Sequence, residues 1–311
     1  MIMPVPKSKI PIILSAVLIL LPALLFAGED TSAIKEKVVY PRKIDSAISE
    51  YTTTFKHEFE SYARFMPASK VKHMPGKLEI VNSEAEYSLE VKLFGQLPIQ
   101  FSIDQKYIGV DNTTSIDFPA HLLGLTFDVE TTLPFFTFQN TYFRFGVSPS
   151  FYTDQWSYPT SAFRVPSRYF LIYQPDGKWT FIAGVAVYPD YKDEVGPILG
   201  FIYKPSEKLI FNIIPTRPTI TYNLNDTVSI FAEGGFSSDE FEVTRNNIKG
   251  VVLMYDDAFA GGGLGLKLGK YVQASLSAGG VFGRSLKYRD KRGKANIKDG
   301  MYSEFRVDIN I

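Results

Sequence analysis

Residues 301–311 read Met301-Tyr302-Ser303-Glu304-Phe305-Arg306-Val307-Asp308-Ile309-Asn310-Ile311. Met301, Phe305, Val307, Ile309 and Ile311 fall on one parity, and Tyr302, Glu304, Arg306, Asp308 and Asn310 on the other. Successive strand side chains point to opposite faces, so this segment is a strand with one apolar and one ionic side. The same two-residue beat runs back through the chain. Phe143, Phe145 and Val147 alternate with Tyr142, Arg144 and Ser148, and Leu123, Leu125, Phe127 and Val129 with Gly124, Thr126, Asp128 and Glu130. Phe101 and Ile103 alternate with Gln100, Ser102 and Asp104. Helical spacing almost disappears after Tyr51.

Short turns with Gly, Pro, Asn and Asp fall at Phe94-Gly95-Gln96, around Pro134, at Pro175–Lys178, Pro205–Lys208 and Asn223–Asp226, and at Gly269-Lys270. Longer polar connections lie near 67–77, 111–119, 154–162, 189–195, 238–253 and 289–298. Short and long connections therefore alternate, as in a meander whose hairpins close tightly at one end and loosely at the other. The exception is the brief corner Pro215-Thr216-Arg217-Pro218. The spacing predicts fourteen strands over 51–66, 77–93, 97–110, 121–133, 137–153, 162–174, 178–188, 196–204, 207–214, 217–224, 226–237, 254–268, 271–288 and 299–311. If 207–224 is one bent strand, parity fails, and twelve becomes the alternative.

An exported meander can bury its apolar faces inward, as a soluble sheet, or turn them outward into lipid. Most segments reach the 9–11 residues that a tilted strand needs to cross the hydrocarbon. The polar faces favour lipid outside. Glu84, Glu86, Glu90 and Lys92 share one face, as do Asp104 and Lys106; Asp128, Glu130, Arg144, Arg168, Glu233, Lys267, Glu304, Arg306 and Asp308 continue the series. Arg or Lys at a bilayer midplane costs about 2–4 kcal/mol, so these charges are expected to line a lumen. Tyr152, Trp156, Tyr158, Trp179, Tyr188 and Tyr191 near strand ends are expected at the membrane interfaces. The predicted fold is all-β: an antiparallel up-and-down transmembrane β-barrel.

The N-terminus fits that destination. Lys7 and Lys9 precede an apolar run from Ile10 to Phe26, then Ala27-Gly28. This is the layout of a cleaved secretory signal peptide over 1–27. A retained anchor helix is the rival, at the lower limit of spanning length and weakened by Pro11 and Pro22. Residues 28–50 read as a charged lead-in, and 51–311 as the barrel. With 33 basic and 33 acidic residues there is no electrostatic footprint for nucleic acid. The absence of cysteine excludes disulfides, thiolate metal sites and a lipidated cysteine anchor.

At Gly196–Pro205, Ile214-Pro215, Tyr222–Asn225 and Ala278–Arg284 the chain resembles a poorly characterised family of bacterial outer-membrane β-barrel proteins of unknown function. The resemblance implies a barrel in the outer membrane of a Gram-negative bacterium and no particular substrate or catalytic residue.

Candidate chemistry is sparse, and no cofactor is called for. His57, His73 and His121 are the only histidines, and Ser61, four residues from His57, is roughly 13 Å away along a strand. A serine nucleophile needs its base within hydrogen-bond reach. Gly261-Gly262-Gly263-Leu264-Gly265 lacks the following helix of a phosphate cradle, and is expected to let bulky lumen side chains pack on a strand. Lys287–Arg292 reads as a solvated basic loop that could meet lipopolysaccharide. Asp256-Asp257, with Asp190, Asp193 and Glu194, reads as loop carboxylates without the spacing of a calcium loop. The leading expectation is a passive channel for small solutes. An interaction barrel touching lipopolysaccharide or partner proteins is the alternative, and a lipid-processing enzyme the remote third.

Overall fold

A computed structural model describes residues 55–93, 97–135, 138–245, 248–291 and 293–311. Residues 1–54, with the expected signal peptide and the whole lead-in, lie outside the described residues. Along the chain run β1 (Phe55–Lys70), β2 (Lys77–Leu93), β3 (Leu97–Asn112), β4 (His121–Pro134), β5 (Thr141–Val147) and β6 (Ser150–Thr153). Then follow β7 (Phe163–Arg164), β8 (Ser167–Tyr173), β9 (Trp179–Val187), β10 (Val195–Tyr203), β11 (Leu209–Ile213) and β12 (Thr219–Asn223). The last five are β13 (Val228–Arg245), β14 (Ile248–Leu268), β15 (Val272–Tyr288), β16 (Lys294–Asn296) and β17 (Gly300–Asn310).

Three staves are interrupted: β5 continues into β6, β7 into β8 and β16 into β17. The seventeen segments therefore make fourteen staves. Each stave pairs antiparallel with the next, and β1 closes on β17 from Glu58↔Asn310 to Phe65↔Ser303. β11 and β12 are separate strands, paired Leu209↔Tyr222 to Asn212↔Thr219, which settles the count at fourteen rather than twelve. Closure of β1 on β17 leaves the sheet without a terminal edge strand, as a β structure that spans a membrane requires.

The apolar parity faces out. On β17 Met301 is 72% exposed, whereas Glu304 is 3% exposed. On β14 the outward positions Leu268, Leu266, Leu264, Gly262, Ala260 and Ala258 precede the first outward charge, Asp256. Ten residue steps of about 3.4 Å tilted by about 45° span roughly 24 Å, the height of a lipid-facing apolar band. Near the short turns of β9, β10 and β11 a cluster of aromatic rings borders this band. Trp179 stacks on Tyr203 with ring centroids 4.0 Å apart and on Phe181 at 5.3 Å, and Tyr203 stacks on Phe211 at 6.0 Å.

Toward the long connections the inward parity of β2 and β13 turns from ionic to apolar without a slip, whereas β15 reverses its parity at a bulge between Phe282 and Ser285. On β2, Glu84 and Glu86 point inward beside Tyr87 pointing out. A few residues on, Leu78 and Ile80 are the inward, fully buried pair, and Glu79 is outside. β13 does the same, with Phe241 and Val243 inside and Glu240 and Glu242 outside. Met66, Ile108, Leu122, Leu253, Tyr255, Leu286 and Tyr288 complete a dry core at this end. Here the barrel has left the bilayer and is built like a small soluble one, apolar within and polar without.

That upper tier is also narrower. Val71 pairs with Ile297, joining β1 to the β16 side, and Glu242 of β13 pairs with Thr153 of β6. The Gln155 amide donates to the Thr244 hydroxyl at 2.7 Å, and the Thr244 amide to Asp154 at 3.1 Å. A ring of nine staves (β1–β4, β6 and β13–β16) thus closes above the fourteen-stave tier.

Several expectations need correction. Residues 238–245 and 248–253 are not loop but belong to β13 and β14, and Asp256 and Asp257 are strand residues of β14. Part of 289–298 is β16. Tyr152 is not interfacial: its ring lies inside against Phe241, at 5.6 Å. For the two segments read as loop the cause is the same. Beyond the bilayer a strand needs no long apolar exterior, so its polar outer residues read as loop.

Candidate functional site: the ionic interior

The interior of the membrane tier is held by charges from strands far apart in sequence. β17 contributes Glu304, Arg306 and Asp308 on one parity, and β1 contributes Glu60, Tyr62 and Arg64. Glu304 is the hub. Its Oε2 accepts from Arg64 Nε at 2.8 Å, and its Oε1 from Arg217 at 2.5 Å and Arg306 at 3.3 Å. Arg217 also donates to Glu233, which accepts from the Tyr302 hydroxyl at 3.0 Å. Arg306 reaches Glu60 at 3.3 Å. Three guanidiniums and three carboxylates are present, so the cluster is neutral. Arg64 is packed between rings, with its Cζ 3.7 Å from the Phe259 centroid and 5.0 Å from that of Tyr302. Tyr302 can stand there because Gly261 and Gly279 oppose it; a Cβ on Gly261 would lie 2.5 Å from the Tyr302 hydroxyl.

Other pairs line the wall or cross the interior. Lys106 on β3 reaches Asp239 on β13 at 2.6 Å. These strands are not sheet neighbours, so the bridge spans the barrel. Arg168 meets Asp128 at 2.6 Å, the Ser148 hydroxyl donates to the same carboxylate at 2.8 Å, and Arg144 meets Glu130 at 3.1 Å. Glu84 accepts from the Tyr62 hydroxyl at 3.2 Å, and Glu86 from Ser88 at 3.4 Å. Asp104 lies on the same inward parity as Lys106. Glu90, Lys92, Lys267 and Asp308 are partly exposed near the short-turn mouth.

The structure therefore gathers Glu233, Glu304 and Arg306 into one cluster and distributes the other expected charges along the interior wall. Sequence reasoning missed Arg64 and Arg217. Arg64 was open to it: Glu58, Glu60, Tyr62 and Arg64 alternate with Phe59, Ser61, Ala63 and Phe65. Arg217 carries no such signal, because it sits in the 215–218 corner and only the fold aims it at Glu304. Above the cluster, Arg284 is 1% exposed, donates to Ser69 and to the Lys298 carbonyl, and leaves Nε and one terminal nitrogen unpaired.

The histidines are scattered. His57 Nδ1 and the Tyr87 hydroxyl are hydrogen-bonded at 2.7 Å on the outer wall, and His121 lies against Trp156 at 5.7 Å. His73 sits in the β1–β2 connection at a positive φ of 63°. The described residues contain no group of three acidic or histidine side chains placed to hold a metal. Outside the membrane, burial raises the Asp154 carboxyl above its ordinary range, against the Thr244 amide that lowers it.

An apolar band facing lipid, a closed antiparallel wall and a charge-braced interior define an outer-membrane-type transmembrane β-barrel. No protein-family model and no curated protein matches the chain. Among solved structures it is similar to the COG4313 outer membrane channel from Pseudomonas putida F1, at 11% identity over 86% of this chain and 100% of that one, with a TM-score of 0.46. It is also similar to a TodX deltaS2S3 mutant monoaromatic hydrocarbon channel (9% identity, 83% and 89% covered, TM-score 0.40) and to the KdgM porin (8%, 81% and 98%, 0.35). The assignment of the fold rests on the strand pairing, not on these likenesses.

Proposed function

We propose that the protein is a passive passage for small solutes in the outer membrane of a Gram-negative bacterium, closed in this conformation by the cluster around Glu304. One observation carries the reading. Partly exposed charges of both signs at the short-turn mouth lead up to a buried neutral network, and one of its members, Arg217, stands on a short corner rather than on a paired strand. Fourteen staves enclose more room than the side-chain-filled eight-stranded barrels, and mixed charge favours weak selectivity. Planar bilayers test it: the wild type gives small, infrequent conductance steps, and Arg217→Ala gives larger or more frequent ones. Silence from both proteins would refute the passage.

The alternative of an interaction barrel gripping lipopolysaccharide draws less support. Lys287 is paired with Asp256 at 2.5 Å and Arg289 with Glu240 at 2.7 Å, so these basic side chains are already neutralised. No catalytic role is proposed.

A further inference from the structure

Below the dry upper tier the wall has a notch. β10 pairs with β9 along its whole length, Val195↔Val187 to Tyr203↔Trp179, but with β11 only from Phe201 to Tyr203. Residues 195–200 therefore have a free backbone edge. On the far side β12 pairs with β13 only from Ser229 to Glu233, and β13 next meets a wall strand at Glu242. Residues 235–241 thus present the opposite free edge. Between the two, β11 and β12 stop at the 214–218 corner, which forms the sill, where the Gly234 amide donates to the Pro218 carbonyl at 3.0 Å. The β9–β10 loop forms the lintel, with the Lys192 amide donating to Glu240 at 2.9 Å. At the sill β10 and β13 stand three strand spacings apart, roughly 14 Å between backbones.

Two observations say what this gap suits. Its outward rim is apolar and strongly exposed, with Leu199 at 69%, and Val195 and Phe236 each at 61%. Its lower part, at Leu199 and Phe236, therefore opens at the level of the lipid band, and its upper part, at outward Ser238 and Glu240, rises above it. The inner wall below it is apolar too: Ile172, Ile182 and Ile202 form a separate buried cluster with Ile214 of the sill, while β1, β4 and β17 are ionic inside. A solute rising from the charged mouth meets a dry plug overhead and an oily strip leading sideways. An open edge in lipid is otherwise costly, since each unpaired backbone group there loses its hydrogen bond.

We propose that this notch is a lateral portal between the barrel interior and the outer leaflet, and that the solute is a small apolar or amphipathic molecule. The proposal rests on the passage reading and specifies its route and substrate class.

The experiment has two arms. In proteoliposomes containing dibrominated phosphatidylcholine, a bimane on Ile198→Cys, which lies inward on the free stretch of β10, is expected to be quenched as strongly as one on outward Leu199→Cys. A bimane on inward Ile182→Cys should stay bright. In intact cells bearing the barrel, uptake of N-phenyl-1-naphthylamine is followed after a bismaleimide long enough to cross the notch joins Leu199→Cys to Phe236→Cys. Uptake should fall to that of cells lacking the protein. The same reagent across the intact wall, at Leu276→Cys and Phe305→Cys, which face each other on β15 and β17, should leave it unchanged. Undiminished uptake after stapling the notch overturns the lateral route while leaving the passage standing. A protected Ile198 probe overturns the portal, and wild-type uptake no greater than that of cells without the protein overturns the passage itself.

Discussion

Replacing Glu304 by Gln tests the physical account most directly. The Glu304 side chain is 2% exposed, and that of Arg64 is 3% exposed. In Glu304→Gln one acceptor oxygen becomes an NH2 group facing guanidinium donors, and the cluster gains a net positive charge. Arg217 keeps Glu233, and Arg306 keeps Glu60 at 3.3 Å. Arg64 loses the carboxylate that both its Nε and its terminal nitrogen engage, and retains only aromatic faces. Breaking one partner out of a buried ion pair costs about 3–5 kcal/mol; the two retained pairs place this variant near the lower end, about 3 kcal/mol. That is roughly a hundredfold in the folding equilibrium. Urea unfolding in detergent, followed by Trp156 and Trp179 fluorescence and by the gel shift between boiled and unboiled protein, reads it. The double variant Arg64→Met/Glu304→Leu removes both charges of the pair and should recover most of the loss, because well-packed apolar replacements of buried pairs are often neutral. A Glu304→Gln barrel within about 0.5 kcal/mol of wild type, the usual range of inconsequential surface changes, would refute the claim that this network holds the interior.

Leu264→Arg, on the outward face of β14 in the lipid band, should cost about 2–4 kcal/mol, whereas Glu242→Arg, outside the band, should cost far less; matched unfolding midpoints check the membrane level. Ile80→Asp, in the dry tier, should impair folding strongly, while Glu86→Leu, on the same inward parity, should be tolerated; heat-shift gels would separate them. Gly263→Ala should destabilise by about 1–3 kcal/mol, because its Cβ would fall 2.2 Å from the Leu276 carbonyl oxygen. Asp154→Asn should raise stability at neutral pH. A carboxyl raised by folding disfavours the folded state once pH climbs past its unfolded pKa of about 3.9, so the gain should vanish in acid; thermal midpoints at two pH values show it.

Alternation at residues 301–311, 121–130 and 84–92 by itself established strands and their two unlike faces, because a two-residue period is a property of the backbone; it favoured lipid on the apolar side, because a bare charge there is costly. Turn chemistry placed most of the hairpins, while the choice of fourteen strands over twelve waited on the pairing of β11 with β12. Local pattern could not reveal where a strand leaves the bilayer. Asp111 and Glu240 are outward residues of paired strands, yet in sequence they read like loop, since polar exteriors suit both. Nor could it join Arg64, Arg217, Arg306, Glu233 and Glu304, which come from four separate parts of the chain and meet only when β1 closes on β17. The narrow upper ring and the notch beneath it are likewise tertiary. They arise because β6 reaches across to β13 while β11 and β12 stop early, and the pairing of distant strands is decided by closure of the whole wall rather than by any one segment.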